Sequence, residues 1–183
     1  SELPLYALPD ARIRVFTSGG MALSADNQTV LVVNTFNNTL SITQPRLRRL
    51  LTELPVGHDP RTVAFTDDSQ RAVITNRGDG TLSVLDVNAQ TITATFPVGV
   101  LPYGVVMADN QTAYVSLQGE SAIAIVDINN GMVRERITVP SLPSGLALWG
   151  DFLYVTHFWS GQVSLVYLPQ RIVVRTISTG LDT

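Results

Sequence analysis

The sequence predicts an all-β fold, a β-propeller built of four-stranded antiparallel blades. Three observations predict it: a repeat of roughly 41 residues, alternating apolar residues within each repeat, and turn-forming residues between the alternating segments. The 183-residue chain is 45% hydrophobic and only 15% charged, and it contains 13 Gly and 10 Pro. This composition suits short buried strands joined by tight turns.

A polar turn followed by an apolar strand marks each repeat. The turn Asp26-Asn27-Gln28-Thr29 precedes the apolar run Val30–Val33, and this pattern returns at 68–76, at 109–116 and, more loosely, at 149–156. A second set of positions keeps the same spacing, with apolar residues on both sides of a small residue at 40–42, 82–84, 123–125 and 163–165. A period of two indicates strands, and the small central residue suggests that a neighbouring sheet packs closely.

Each repeat contains enough turn signals for four strands. In the second repeat we expect strands at Thr62–Thr66, Arg71–Asn76, Thr81–Val87 and Thr91–Val98, joined by turns rich in Asp, Gly, Ser and Asn. We therefore divide a single propeller region, 1–183, into a half blade at 1–19 and blades at 20–57, 58–99, 100–140 and 141–180. A seven-bladed ring of such repeats needs roughly 290 residues. About four and a half blades therefore predict a fragment of a seven-bladed propeller, whose ring is completed by further blades or by a second chain.

Short motifs inside the repeats resemble a known family. The segments A-V-I-T-N at Ala72–Asn76, Y-V-S at Tyr114–Ser116 and Y-V-T at Tyr154–Thr156 resemble the YVTN-type β-propeller repeat of bacterial and archaeal surface-layer-like proteins. P-V-G-H-D-P-R-T-V-A-F at Pro55–Phe65 and N-R-G-D-G-T-L-S-V-L-D at Asn76–Asp86 are also typical of it. The sequence departs from the motif at Leu117 and His157, where the family has Asn, and at Gln44, where it has Asp. The resemblance implies a propeller and says little about biochemistry.

The composition excludes several classes of function. Without Cys the chain has no thiol nucleophile, disulfide or iron–sulfur cluster, and without Lys it has no Schiff base. Only two histidines are present, His58 and His157, so a three-histidine zinc site cannot form. The net charge of −3 argues against nucleic-acid binding. No apolar run approaches the ~20 residues that span a bilayer, so we expect no membrane span. We predict no resident cofactor, with a divalent cation left open.

Propeller topology divides the loops between the two ends of the ring. The loops that enter each blade and those between its second and third strands share one end, here called the loop face; the repeated Asp/Asn/Gln/Thr turns share the opposite end. Ligands of repeat proteins usually bind where loops differ between repeats, so the loop face is the predicted binding surface for a protein or a small ligand. Its candidate residues are His58, Asp59, Arg61, Arg77, Tyr103, Glu120, His157 and Trp159.

Most of these candidates also have a structural interpretation. His58 and Asp59 could form an acid–base pair, but a polar pair in such a loop more often satisfies backbone groups. His157 occupies the position of Asn34 and Asn76, which predicts a hydrogen bond to the loop backbone. Phe158 and Trp159 could offer an aromatic contact surface or pack against the next blade.

We favour a non-catalytic binding or scaffolding propeller, with no catalytic residue assigned. The chain opens at Ser1 without Met, and with the family resemblance this favours a periplasmic, secreted or cell-surface protein. An alternative, implied by related propellers, is a lactonase- or lyase-like enzyme that depends on a divalent cation. Its available acids are Asp59, Asp79 and Glu120, from different blades and at unmatched positions. A second alternative is a docking propeller associated with a redox partner.

Overall fold

Three antiparallel sheets of four strands and one of five strands make up the part of the chain that the structure describes, residues 16–179 of a computed structural model. No α-helix occurs in this range; a single 3-10 turn, Pro45–Leu47, lies in blade one. The predicted class, an all-β propeller of four-stranded blades, is confirmed. The seven-bladed ring stays a prediction.

The strands follow one another in chain order within each blade. Blade one contains β2 (Met21–Leu23), β3 (Val30–Asn34), β4 (Thr39–Gln44) and β5 (Arg49–Pro55). Blade two contains β6 (Pro60–Phe65), β7 (Arg71–Asn76), β8 (Thr81–Asp86) and β9 (Thr91–Pro97). Blade three contains β10 (Pro102–Met107), β11 (Thr112–Leu117), β12 (Ala122–Asp127) and β13 (Met132–Thr138). Blade four contains β14 (Pro143–Trp149), β15 (Phe152–His157), β16 (Gln162–Tyr167) and β17 (Ile172–Ser178).

One further strand precedes blade one. β1 (Phe16–Thr17) pairs with β14, the first strand of blade four. Before the chain enters blade one, it contacts blade two, where the carbonyl of Gly19 accepts the amide of Val63 at 2.9 Å. Residues 1–15, most of the predicted half blade, lie outside the described residues, and the half blade stays a prediction.

Neighbouring blades pack face to face around apolar cores. The first strands contact one another from blade to blade, β2 with β6, β6 with β10 and β10 with β14, so they line the inside of the arc. Three buried clusters fill the spaces between blades one and two, two and three, and three and four. Leu82 and Ile123, one repeat apart, are both fully buried. Burial of such side chains is the main force holding the blades together.

A recurring hydroxyl joins blade two to blade three and blade three to blade four. The pairing of first and second strands is irregular at the same place in blades two, three and four, between Pro60 and Val63 and at the matching positions. In blade two the Thr75 hydroxyl oxygen accepts the amide of Thr62 at 3.0 Å, and the hydroxyl donates to the carbonyl of Tyr103 at 2.7 Å. Ser116 makes the same two contacts one repeat later, with Gly104 and Ser144. These side chains satisfy backbone groups that the irregular pairing leaves open.

Candidate ligand-binding site on the loop face

Two arginines and one aspartate form an ionic cluster at the entrance to blade two. Asp59 lies in the loop before β6 with φ 52°, and its carboxylate accepts Arg61 at 2.7 Å and Arg77 at 3.3 Å. The side chains of Arg61 and Arg77 are 33% and 30% exposed. Because one carboxylate faces two guanidinium groups, the cluster carries an excess of one positive charge.

Blade three completes this cluster. The guanidinium carbon of Arg61 lies 5.9 Å from the centre of the Tyr103 ring, within the range of a cation–π contact. The Nε of Arg77 donates to the side-chain oxygen of Gln118 at 3.2 Å. The Nε of Arg61 is buried and has no hydrogen-bond partner among residues 16–179. We call Asp59, Arg61, Arg77, Tyr103 and Gln118 the arginine cluster.

Backbone contacts fix the position of Asp59. Its amide donates to the side-chain oxygen of Asn38 in blade one at 2.9 Å, and its carbonyl accepts the amide of Arg77 at 3.0 Å. The left-handed conformation at Asp59 recurs at Leu101 and Leu142, one and two repeats later. Blades two, three and four thus share this loop geometry. Only blade two has a charged residue at this position, so only blade two of these three presents a carboxylate there.

The other two acids have backbone-capping roles. Asp79 accepts the amide of His58, and Glu120 accepts the amide of Val100 at 2.7 Å. The two acids follow β7 and β11 at the same distance, so they occupy matched positions. The expectation that these acids are at unmatched positions is wrong, because the repeat uses each to hold the loop that enters its own blade. Glu120 also accepts Arg136 at 2.8 Å.

The His58 side chain is exposed and lies against Gly78, where a Cβ atom would meet its Nδ1 at 2.1 Å. The carboxylate of its neighbour Asp59 is engaged by the two arginines. The contacts of these two residues therefore go to other groups, with no bond between them that would make an acid–base pair.

His157 stands where Asn76 stands in blade two and makes the same contact to a serine hydroxyl, but its second contact is to a carbonyl instead of an amide. Asn76 is fully buried; it donates to Ser83 at 2.9 Å and accepts the amide of Gly57 at 3.1 Å. His157, 4% exposed, bonds Ser164 through Nε2 at 2.8 Å and the carbonyl of Ser141 through Nδ1 at 3.0 Å. Both ring nitrogens are thus used inside the blade.

Phe158 and Trp159 form an exposed aromatic pair on blade four. Their ring centres are 5.9 Å apart, and the residues are 57% and 82% exposed. Tyr103 and the arginines lie on other blades. The structure therefore groups Asp59, Arg61, Arg77 and Tyr103, and places His58, Glu120, His157 and Trp159 in separate contacts.

The opposite end of the arc repeats a single turn. The carboxylates of Asp26, Asp68 and Asp109 each accept the amide two residues later, at 3.0, 2.9 and 2.6 Å. In the first two turns, the hydroxyls of Ser24 and Thr66 and these amides hold the pKa of the Asp below its ordinary value. These matched contacts build the scaffold, in contrast to the single arginine cluster on the loop face.

The acids of the loop face do not fit a divalent-cation site. Asp59 contacts two arginines, Asp79 contacts a backbone amide, and Glu120 contacts an amide and Arg136. Across residues 16–179, no group of three or more His, Asp or Glu side chains is placed to hold a metal ion. In the same range, no helix has the length and apolar character needed to cross a membrane.

Comparison with known proteins places the fold. No protein-family model matches the sequence, and no curated protein sequence matches it. Among solved structures, a chain of Kuenenia stuttgartiensis hydrazine synthase is similar to 85% of this chain, with a TM-score of 0.74 and 20% identity. The protein described here therefore has the fold of a partial β-propeller. A functionally unknown protein from Desulfotomaculum acetoxidans is similar to 90% of it, with a TM-score of 0.77 and 15% identity.

These similarities concern the fold alone, because the identities are low. The propeller spans about half the length of both proteins, 47% of the first chain and 57% of the second. The narrower resemblance to the YVTN-type repeat stays a prediction.

Sequence reasoning missed Gln118, a member of the arginine cluster, and Asn38, which holds the backbone of Asp59. Gln118 follows β11 as Arg77 follows β7, so aligning the repeats could have placed it on the loop face. Asn38 supports Asp59 from the preceding blade, a contact that depends on how closely two blades approach. No signal within one repeat predicts contacts of this kind.

Proposed function

We propose that this chain is part of a non-catalytic binding propeller whose arginine cluster holds an anionic group of its ligand. The observation that carries the proposal is the excess charge: Arg61 and Arg77 share the single carboxylate of Asp59, and both remain about one third exposed. Guanidinium groups bind carboxylates and phosphates through paired hydrogen bonds.

The surroundings of Arg61 support a ligand contact. About one third of the Arg61 side chain is exposed, so its guanidinium group can meet an anion at the surface, while the buried Nε has no hydrogen-bond partner among residues 16–179. The Tyr103 ring beside the guanidinium would give the ligand an apolar wall.

The contacts of the loop face favour binding over catalysis. Both carboxylate oxygens of Asp59 are engaged by arginines, and His157 is buried with both nitrogens bonded. A general base needs a free atom within hydrogen-bond reach of the substrate. The cation-dependent enzyme and the redox docking propeller stay sequence-based alternatives, and a periplasmic, secreted or cell-surface location stays part of the proposal.

Titration with citrate and with inorganic phosphate, at constant ionic strength, tests the site. An anion at about 100 times its Kd stabilises the native state by about 2.7 kcal/mol, which corresponds to a Tm increase of roughly 5–10 °C for a chain of this size. We expect Arg61→Gln and Arg77→Gln each to weaken binding at least about tenfold.

Arg49→Gln is the matched control, since it removes the same charge from an exposed position on β5. Equal weakening in the control would show that only net charge matters. An unchanged Tm with both anions, or binding that survives the loss of both cluster arginines, would refute the site.

A further inference from the structure

The Asp59 carboxylate occupies only part of the two guanidinium groups that contact it. It accepts Nη2 of Arg61 at 2.7 Å and Nη1 of Arg77 at 3.3 Å, while Nε of Arg77 donates to Gln118. Nη1 of Arg61 and Nη2 of Arg77 have no hydrogen-bond partner among residues 16–179. The unpaired Nε of Arg61 is buried, whereas these two Nη atoms are not. An anion can therefore reach both arginines beside Asp59.

The loop that enters blade two does not depend on the Asp59 side chain for its shape. Leu101 and Leu142 hold the matched positions of blades three and four at φ 54° and 52°, against 52° at Asp59. In all three blades the carbonyl of this residue accepts, at 3.0 Å, a backbone amide from the loop after the second strand. The same backbone thus forms with Leu or with Asp, so the carboxylate is not needed to build the loop.

Each arginine has a second contact that does not involve Asp59. The guanidinium carbon of Arg61 lies 5.9 Å from the centre of the Tyr103 ring, and Arg77 donates to Gln118 at 3.2 Å. Both contacts come from blade three, which packs on blade two through a buried apolar core. These contacts support the guanidinium groups without the carboxylate. The main effect of Asp59 is therefore electrostatic, since one carboxylate lowers the charge of two arginines from two to one.

We propose that Asp59 is an internal competitor of the anionic ligand and determines which anions the arginine cluster prefers; this inference rests on the proposed function. The carboxylate occupies guanidinium N–H groups that an anion would otherwise use, and its charge repels the anion. Because the Coulomb energy is proportional to the charge of the ligand, this repulsion is twice as strong for a divalent anion as for a monovalent one. Asp59 therefore shifts the preference of the cluster toward ligands with a single negative charge, such as carboxylates.

Titration with sodium formate and with sodium sulfate, at constant ionic strength, tests the proposal in the parent chain and in two variants. Asp59→Asn keeps the size of the side chain, and Asp59→Leu introduces the residue that blades three and four have at this position. The NMR signal of the Arg77 Nε–H group, assigned with Arg77→Gln, reports binding to the folded protein. We expect both variants to bind formate roughly fivefold more tightly, and sulfate roughly 25-fold more tightly, the square of the first factor.

Glu135→Gln is the matched control for this titration. It removes the same charge from β13, the outer strand of blade three, where Glu135 contacts Arg171 at 2.8 Å. Because salt screens exposed charges that are far from the ligand, both affinities should stay within about twofold of the parent. Gains equal to those of the Asp59 variants would assign the effect to net charge and overturn the proposal.

The remaining outcomes separate this inference from the proposed function. Weaker or unchanged binding by the Asp59 variants, with binding by the parent, would overturn the competitor and leave the proposed function in place. Equal gains for formate and sulfate would overturn the electrostatic preference in the same way. If neither the parent nor any variant bound either anion, the proposed function and this inference would both be wrong. Binding by the Asp59 variants alone would refute the proposed function of the parent chain and support the competitor.

Discussion

Exchanging a buried polar pair for its apolar counterpart in the next blade tests how this repeat tolerates variation. In blade two, Asn76 donates to Thr81 and Ser83 at 3.0 and 2.9 Å and accepts Gly57 at 3.1 Å. In blade three the matched positions hold Leu117 and Ala124, both fully buried. Blade three thus has apolar residues in place of both the buried amide, Asn76, and its hydroxyl partner, Ser83.

The variant Asn76→Leu removes three hydrogen bonds from a fully buried side chain. At about 1 kcal/mol net for each bond, we expect a loss of about 3 kcal/mol, or a Tm decrease of roughly 6–12 °C. Adding Ser83→Ala should restore about 1 kcal/mol, because the serine hydroxyl no longer needs the amide. Thermal and urea unfolding followed by circular dichroism give both values.

The reverse exchange in blade three is the control for this reasoning. Leu117→Asn places an amide in an apolar core, and Leu117→Asn with Ala124→Ser should recover part of the loss. If the two substitutions in each blade were additive within about 0.3 kcal/mol, the pairs would not be coupled. The idea that these positions vary as a unit would then be wrong.

Two further predictions concern close packing and pH. Gly104→Ala should strongly destabilise the protein, since a Cβ atom would lie 2.2 Å from the backbone oxygen of Ser144; Gly20→Ala, where the nearest atom is 3.7 Å away, should be tolerated in the same melting assay. The Arg134 guanidinium and neighbouring amide groups lower the pKa of Asp127 from 3.8 to about 2. Because the folded-state pKa is depressed, this contribution to stability is present above about pH 4 and is lost as the pH falls toward 2. Asp127→Asn should therefore flatten the pH dependence of Tm in that window, and an unchanged profile would contradict the assignment.

The strands were predictable because each blade repeats a local signal. Arg71–Asn76 was expected and is observed. The first strand of blade two was expected at Thr62–Thr66 but runs from Pro60 to Phe65. The reason is the irregular pairing after Pro60, which lets the chain join the sheet earlier and which depends on the Thr75 hydroxyl.

The face that carries the arginine cluster was predictable, whereas its contacts were not. Blade topology places Asp59, Arg61 and Arg77 at one end of the ring from sequence alone. The contact of Arg61 with Tyr103 and that of Arg77 with Gln118 join residues about one repeat apart across two blades. Such pairs depend on the distance between sheets, which a strand pattern does not determine.

In blade two, the residues that hold the entering loop are not the residues of the arginine cluster, so the cluster can bind a ligand without being needed for the fold. The backbone entering blade two is held by Asn76 and Asp79, which bond the amides of Gly57 and His58. Arg77 lies between these two residues and donates its side chain to Asp59 and to Gln118. Because the scaffold is already supported on both sides of it, the long charged side chain at this position is not needed to form the loop.

Its neutral counterpart Gln118 occupies the same position in blade three, which shows that the scaffold accepts either residue. The positive charge is therefore a property of this one place on the loop face, as expected of a ligand contact rather than of the repeat.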